Sequence, residues 1–206
     1  MALVVTPTNS YNRVSQRFTW TRQQWAGMPD NPKVGVTLKQ LGGSVPEFWR
    51  YGSIPFGKLP IHCYVDDWRL ESIWRADDLQ KTRFSGQVAI APDFSVFADD
   101  PLPLAQFQIW RNRVVSWHWK QAGCRVIPTV QFGKPDSWKF AVSGVTRGSL
   151  LAIRGPGLRV DMGFWREACE FWQEAVSPSI IIQFGRMTGA QVWKCPVLHR
   201  RLYVRD

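Results

Sequence analysis

Nowhere in this chain do two cysteines stand close together. Cys63, Cys124, Cys169 and Cys195 are far apart, and no CxxC pair occurs. A zinc ribbon or a redox dithiol needs such local spacing, so free, buried thiols are expected instead. Histidine is equally scarce: His62, His118 and His199 are scattered. His62 beside Cys63 makes no ligand pair, because adjacent strand residues point to opposite faces. No apolar run approaches the ~20 residues that cross a membrane. No basic region precedes a long apolar core at the start, so a cytoplasmic setting is expected rather than export. A Gly-rich phosphate loop is missing too. "RGPGLR" lacks the Lys-Ser ending, and "GVTRGS" reads as a turn. Ser95 and His118 could be combined into a Ser-His-Asp arrangement, but no spacing marks one.

Acidic residues are also in short supply. Sixteen Asp and Glu face twenty-six Lys and Arg, a net charge of +10. Arg outnumbers Lys, and the guanidinium group suits bidentate contact with phosphate. A basic balance of this size is the electrostatic footprint of a nucleic-acid partner. Twelve tryptophans supply core volume or, where exposed, stacking surface.

What the chain does have is a change of pattern near residue 60. Residues 1–59 are irregular, rich in Pro and Gly, and basic through Arg13, Arg17, Arg22, Lys33, Lys39 and Arg50. They read as an extension packed on or flanking the core, held by Phe18, Trp20, Trp25, Phe48 and Trp49. Residues 60–206 read as an α/β core. "PIHCYV", "GQVAIAP", "CRVIPTVQF", "GSLLAIRG" and "SIIIQF" are short apolar runs of strand type. Pro128 inside the third suggests an edge position or a bulge. Between runs lie helical stretches. One has Asp99 or Asp100 as cap, Pro101 in its first turn, a buried stripe of Leu104, Phe107, Trp110, Val114 and Trp117, and Gly123 at its end. Another starts at Pro135 and Asp136. A third is capped by Asp161, buries Trp165, Ala168, Cys169, Trp172 and Val176, and stops before Pro178. The tail offers a further edge strand.

Strands alternating with helices imply a mainly parallel sheet of repeated β-α units, either a partial barrel or a doubly wound sheet. Uninterrupted apolar strands fit burial on both faces. Ligands in such sheets bind at the carboxyl ends of the strands. The polar residues there are Asp66 and Asp67, Asp93 and Ser95, Thr129 and Gln131, Arg154, then Gln183 and Arg186. The echo between "VIPTVQFGK" and "SIIIQFGRM" places two Gln-Phe-Gly turns at equivalent strand ends. Any single one of these residues also has a plain structural use, such as a local Asx turn. Converging carboxylates can do acid–base work or hold Mg²⁺, a hard cation that takes oxygen ligands.

Three segments together carry a resemblance. "HCYVDDWRLESIW", "APDFSVFADDPLPLAQFQIWRNR" and "AGCRVIPTVQF", in this order, resemble an uncharacterised domain family of bacteria, phages and mobile elements. The likeness runs from about residue 55 to about residue 190. Its motif positions are Asp66, Asp67, Glu71 and Trp74, then Pro92 to Ser95, then Gln108, Trp110, Arg111 and Arg113, then Val126 to Val130. After Thr129-Val130 this chain departs from the pattern, with Gln131-Phe132. The resemblance implies a phage or plasmid setting and singles out Asp67, Asp93 and Arg111 as catalytic candidates. Asp66, Glu71, Ser95, Gln108, Arg113, Thr129, Arg154 and Arg186 are the binding candidates. Three functions compete on these grounds. One is nucleic-acid binding without chemistry, in replication or host takeover. Another is a carboxylate-centred hydrolase of phosphodiesters or nucleotides, with Mg²⁺ if a metal is used. The last is a protein-binding module, such as a host-system inhibitor or a virion component.

Overall fold

A computed structural model describes residues 32–52, 60–75, 85–157, 160–186 and 192–200. Phe18, Trp20, Trp25 and the arginines before them lie outside the described residues. Among these residues, seven strands and four helices follow one another along the chain. They are β1 (Trp49–Arg50), β2 (Ile61–Cys63), α1 (Asp67–Arg75), β3 (Val88–Pro92), α2 (Leu102–Gln121), β4 (Arg125–Ile127), α3 (Pro135–Val142), β5 (Leu150–Arg154), α4 (Met162–Val176), β6 (Ile180–Phe184) and β7 (Val197–Arg200). Every strand pairing is parallel, and every strand lies next to its neighbour in sequence. Ladders join β1 to β4 and β5 to β7. A parallel bridge from Thr129 to Ala152 connects the two sets.

A doubly wound sheet reverses its strand order in the middle; this one never does. Right-handed crossovers in one unbroken direction put all helices on one side. The other face must then be buried by curling the sheet onto itself. Phe184 of β6 shows the curl. Its ring lies 4.9 Å from His62 and 5.0 Å from Tyr64, both of the β2 segment. Four strand spacings in a flat sheet would separate β2 from β6 by roughly 19 Å. Phe48, just before β1, meets the same ring at 6.2 Å. The architecture is therefore the partial-barrel form of the α/β class, with Arg200 of β7 reaching Glu47 at 3.4 Å across the remaining gap.

Alternation along the strands sorts the core. Val88, Ile90, Ile127, Leu150, Ala152, Ile182 and Phe184 fill the interior together with Tyr64. Ala89, Ala91 and Val126 face outward against Leu70, Trp74, Trp110 and Val114 of α1 and α2. Leu151, Ile153 and Ile181 face Trp138, Trp165, Cys169 and Trp172 of α3 and α4. The strands are apolar on both faces because both faces are covered. The described part of the N-terminal extension joins this core, for Val36, Leu41 and Phe48 lie in the interior cluster. Leu150 donates its N–H to Val36. Cys63, Cys124 and Cys169 are free and buried, and Cys195 is half-buried.

Two local expectations need correction. Neither Asp99 nor Asp100 caps α2. Pro101 occupies the cap position without a side-chain bond, and Asp100 instead accepts from the N–H of Phe97 at 2.8 Å. Nor does α2 bury a single stripe. Leu104 is 44% exposed, whereas Ile109 to Ser116 are all buried, polar members included. The helix is flanked by α1 and α3 while lying on β3 and β4, so its middle turns have no solvent side. Asp161 does cap α4, accepting from the Phe164 N–H at 2.8 Å, and the expected apolar face of that helix is buried. Gly123, at φ 88°, closes α2. Pro128 sits at the seam between the two ladders. The β3–β4 pairing stops at Ile127, and the Pro128 carbonyl accepts from Ala152. A residue without an N–H suits that break.

If the interior is packed as described, Phe184→Ala should cost about 3–5 kcal/mol, the usual range for emptying a large aromatic site. Equilibrium urea unfolding measures this; a cost under about 1 kcal/mol would mean that the ring is not enclosed.

Candidate functional site at the barrel mouth

Because all strands are parallel, their carboxyl ends open on one face. Asp93 follows β3, Gln131 follows β4, Arg154 ends β5 and Arg186 follows β6. These four side chains line one cavity of about 630 Å³, together with Ser95, Phe97, Phe132 and Phe164. The volume lies within the range of small-molecule sites.

Asp93 is the centre of the polar part. The Gln131 amide Nε2 donates to Asp93 Oδ1 at 3.1 Å. Burial disfavours the carboxylate and pushes the acid up to about 6; the Gln131 bond and the Arg154 charge oppose this, while the Asp67 charge adds to it. Gln131 is only 3% exposed, and its Oε1 has no hydrogen-bond partner among the described residues. Beneath the mouth, the Tyr64 hydroxyl meets the Thr129 hydroxyl at 3.0 Å across the barrel. Burial and the nearby Asp93 charge raise the Tyr64 phenol well above its usual range.

Asp67 stands beside this centre in a different role. Its carboxylate accepts from the Ser95 N–H at 3.1 and 3.2 Å and from the Ser95 hydroxyl at 3.0 Å. It ties the start of α1 to the loop that carries Asp93. Asp67 is thus brought to Ser95 beside Asp93, and Asp93, Ser95, Arg154 and Arg186 share the cavity wall.

The remaining candidates lie elsewhere. Asp66 is exposed and pairs with Arg50 at 4.0 Å. Arg111 does not face the mouth. It comes from the middle of α2, is 5% exposed, and pairs with Glu71 of α1 and with Gln108. Its guanidinium stacks 3.7 Å from the Phe94 ring and 5.0 Å from Trp74. The Glu71–Arg111–Gln108 group fastens two outer helices to the loop after β3. Arg113 is fully buried and donates to the carbonyls of Ala141, at 2.7 Å, and Ser143, holding the end of α3. Burial lowers it to about 10. Thr129 is inside the barrel rather than on its rim. Sequence reasoning passed over Tyr64, although its two-residue spacing from His62 marks both as interior.

Two glycine turns form one wall. Gly155 donates its N–H to Phe184 at 2.7 Å. A Cβ at Gly155 would stand 2.2 Å from the Arg186 carbonyl oxygen. Only a residue without a side chain lets the turns after β5 and β6 touch. Among the described residues, no three His, Cys, Asp or Glu side chains gather as a metal site. Of the two neighbouring carboxylates, Asp67 is tied to Ser95, and no step below uses a metal.

The fold and the mouth define a parallel α/β barrel protein with a candidate ligand site at the carboxyl ends of its strands. The chain belongs to a family described as a domain of unknown function, DUF4417, which matches residues 53–199. It is also similar to the Gene 1 protein of Mycobacterium phage D29, 26% identical over 188 residues that cover 88% of this chain and 68% of that protein. The Gene 1 protein of Mycobacterium phage L5 is likewise 26% identical over 188 residues, with 81% of its length covered. Both relatives are phage proteins. No solved structure matches the chain. No helix among the described residues is long and apolar enough to cross a membrane.

The raised acidity constant of Asp93 has a signed consequence. Its carboxyl titrates near 3.8 when unfolded and near 6 in the fold. Between these values the native state keeps a proton that the unfolded state has lost. Stability therefore falls as pH rises through that window and stays lower above it. Asp93→Asn should raise stability at pH 7 by about 1–3 kcal/mol. The gain should vanish below pH ~4. Urea unfolding across pH tests this, and a variant that is less stable at pH 7 would assign Asp93 a structural role.

Proposed function

We propose that this protein is a barrel-mouth enzyme acting by general acid–base chemistry on a phosphodiester or nucleotide, with Asp93 as the acid and base. The observation that carries the reading is a carboxyl group held at the strand ends, bonded to Gln131, with two arginines on the same cavity wall. In a hydrolysis, water oxygen attacks phosphorus and the P–O bond to the leaving group breaks. Asp93 gives its proton to the departing oxygen and regains one from the attacking water. An acid that titrates near 6 is suited to both transfers. Arg154 offsets the charge that builds on the phosphoryl oxygens. Tyr64 and Thr129 support the floor.

The test is a panel of nucleoside phosphates and short single-stranded oligonucleotides. For any substrate that is turned over, Asp93→Asn should lower kcat by roughly 10²–10⁴-fold while the fold stays intact. An unchanged kcat would remove Asp93 from the chemistry.

A second reading is nucleic-acid binding without turnover, and the net charge of +10 favours it. The logarithm of Kd for a single strand should then rise linearly with the logarithm of salt concentration. No binding at low ionic strength would rule this reading out.

A further inference from the structure

The cavity has an unbalanced end. Arg154 and Arg186 both line it and both are exposed. Neither guanidinium has a carboxylate ion-pair partner among the described residues, although the Arg154 charge is felt by Asp93. Other arginines of the fold are engaged: Arg50 with Asp66, Arg111 with Glu71, Arg166 with Glu170, and Arg200 with Glu47. The pair extends from successive strand ends, and their turns abut at Gly155, where any Cβ would strike the Arg186 carbonyl. That contact keeps the two guanidinium-bearing turns at a fixed spacing. Asp161, the other acid on the wall, is turned into α4 by its bond to Phe164. The cavity is otherwise apolar and aromatic. Phe97 is 61% exposed at its rim, and Phe132 and Phe164 meet edge-on at 5.2 Å within it. The buried Gln131 Oε1 lacks a donor on the same wall.

We propose that the mouth binds a nucleoside monophosphate, free or as the phosphorylated end of a single strand, with the phosphate on Arg154 and Arg186. This rests on the mouth being the ligand site of the reading above, and it names which chemical groups that site selects. Two guanidinium-bearing residues on one cavity wall match a phosphate monoester, which offers several oxygens and up to two negative charges. The rings of Phe97 and Phe132 give a base an apolar surface to stack on. Gln131 Oε1 offers an acceptor for a ring N–H or amino group once the amide turns toward the ligand. A volume of about 630 Å³ suits one nucleotide rather than a folded polymer.

Trp165 and Trp172 line the cavity, so tryptophan fluorescence titration reports occupancy. The probes are a nucleoside 5′-monophosphate, the same nucleoside without phosphate, inorganic phosphate as competitor, and a 5′-phosphorylated oligonucleotide beside its dephosphorylated form. The monophosphate should bind at least about tenfold more tightly than the nucleoside, since charge-assisted bonds are the strong ones. Inorganic phosphate should compete. Arg154→Gln and Arg186→Gln should each erase most of the phosphate advantage, and Asp93→Asn should keep it. Both arginines are exposed, so the variants should fold, and an unchanged melting temperature checks this. Equal affinity for nucleoside and monophosphate would overturn the proposal, as would a phosphate preference indifferent to both arginines. Arginine-dependent binding without turnover would support this inference while removing the acid–base reading. Turnover that falls with Asp93→Asn but ignores both arginine substitutions would overturn this inference and the role given to Arg154, while keeping Asp93 as the acid and base.

Discussion

The contact between Phe184 and the β2 segment is the constraint from which the rest follows. A parallel sheet wound in one direction leaves one face without helices. Phe184, His62, Tyr64 and Phe48 cover that face by bringing β6 onto β1 and β2. Without the curl, Asp93 and Arg186 would be ends of separate strands along a rim. With it, they face one volume. The charged and polar residues of the mouth therefore owe their proximity to an apolar contact lower in the barrel. Stability and site geometry are linked here through packing beneath the Gln131–Asp93 bond.

Above that packed floor the electrostatics are held in tension. Asp93 is favoured as a neutral acid by burial and by the neighbouring Asp67, and as an anion by Gln131 and Arg154. A group in such a position lowers the stability of the native state at neutral pH. An interior that had only to be stable would do better with an amide there. On the proposed reading, that cost falls where a carboxyl near neutrality would have a chemical use. Asp67 shows the contrasting case after the neighbouring strand. Its oxygens are occupied by the backbone and hydroxyl of Ser95, and it works as a latch between loops. Two carboxylates close together thus divide into one that shapes the mouth and one that is poised in it.

What could be read from residues alone follows from how local each signal is. Asp161, Pro135 and Gly123 mark helix boundaries through their own backbone chemistry, and the structure places them there. The strand ends were legible for the same reason, as each apolar run stops at a polar residue. Arg111 and Arg113 were harder. Both lie in a motif segment and both carry charge, but a helix enclosed by α1, α3 and the sheet turns them inward. Whether an arginine reaches a ligand or a carbonyl depends on neighbours far away in sequence. Ala141 and Glu71 are not visible from the helix that carries these arginines. Gln131 fell outside the family-like pattern yet contacts Asp93, because strand spacing, not motif membership, decides what reaches the mouth. Tyr64 was concealed inside an apolar run, and its partner Thr129 is 65 residues away.

The net charge and the cavity act at different ranges, so they do not compete as explanations. A net charge of +10 attracts a polyanion from a distance, yet its reach is limited to about 8 Å at physiological salt. It favours phosphate backbones in general and chooses no particular group. Within the mouth, screening is weaker and contacts are few. There the outcome is set by Arg154 against Asp93 and by the aromatic wall. On the proposed reading, a basic exterior that gathers strands and an interior that accepts one unit would be two stages of one encounter. The interior stage depends on glycine at position 155, because any side chain there would drive apart the turns that carry the two arginines.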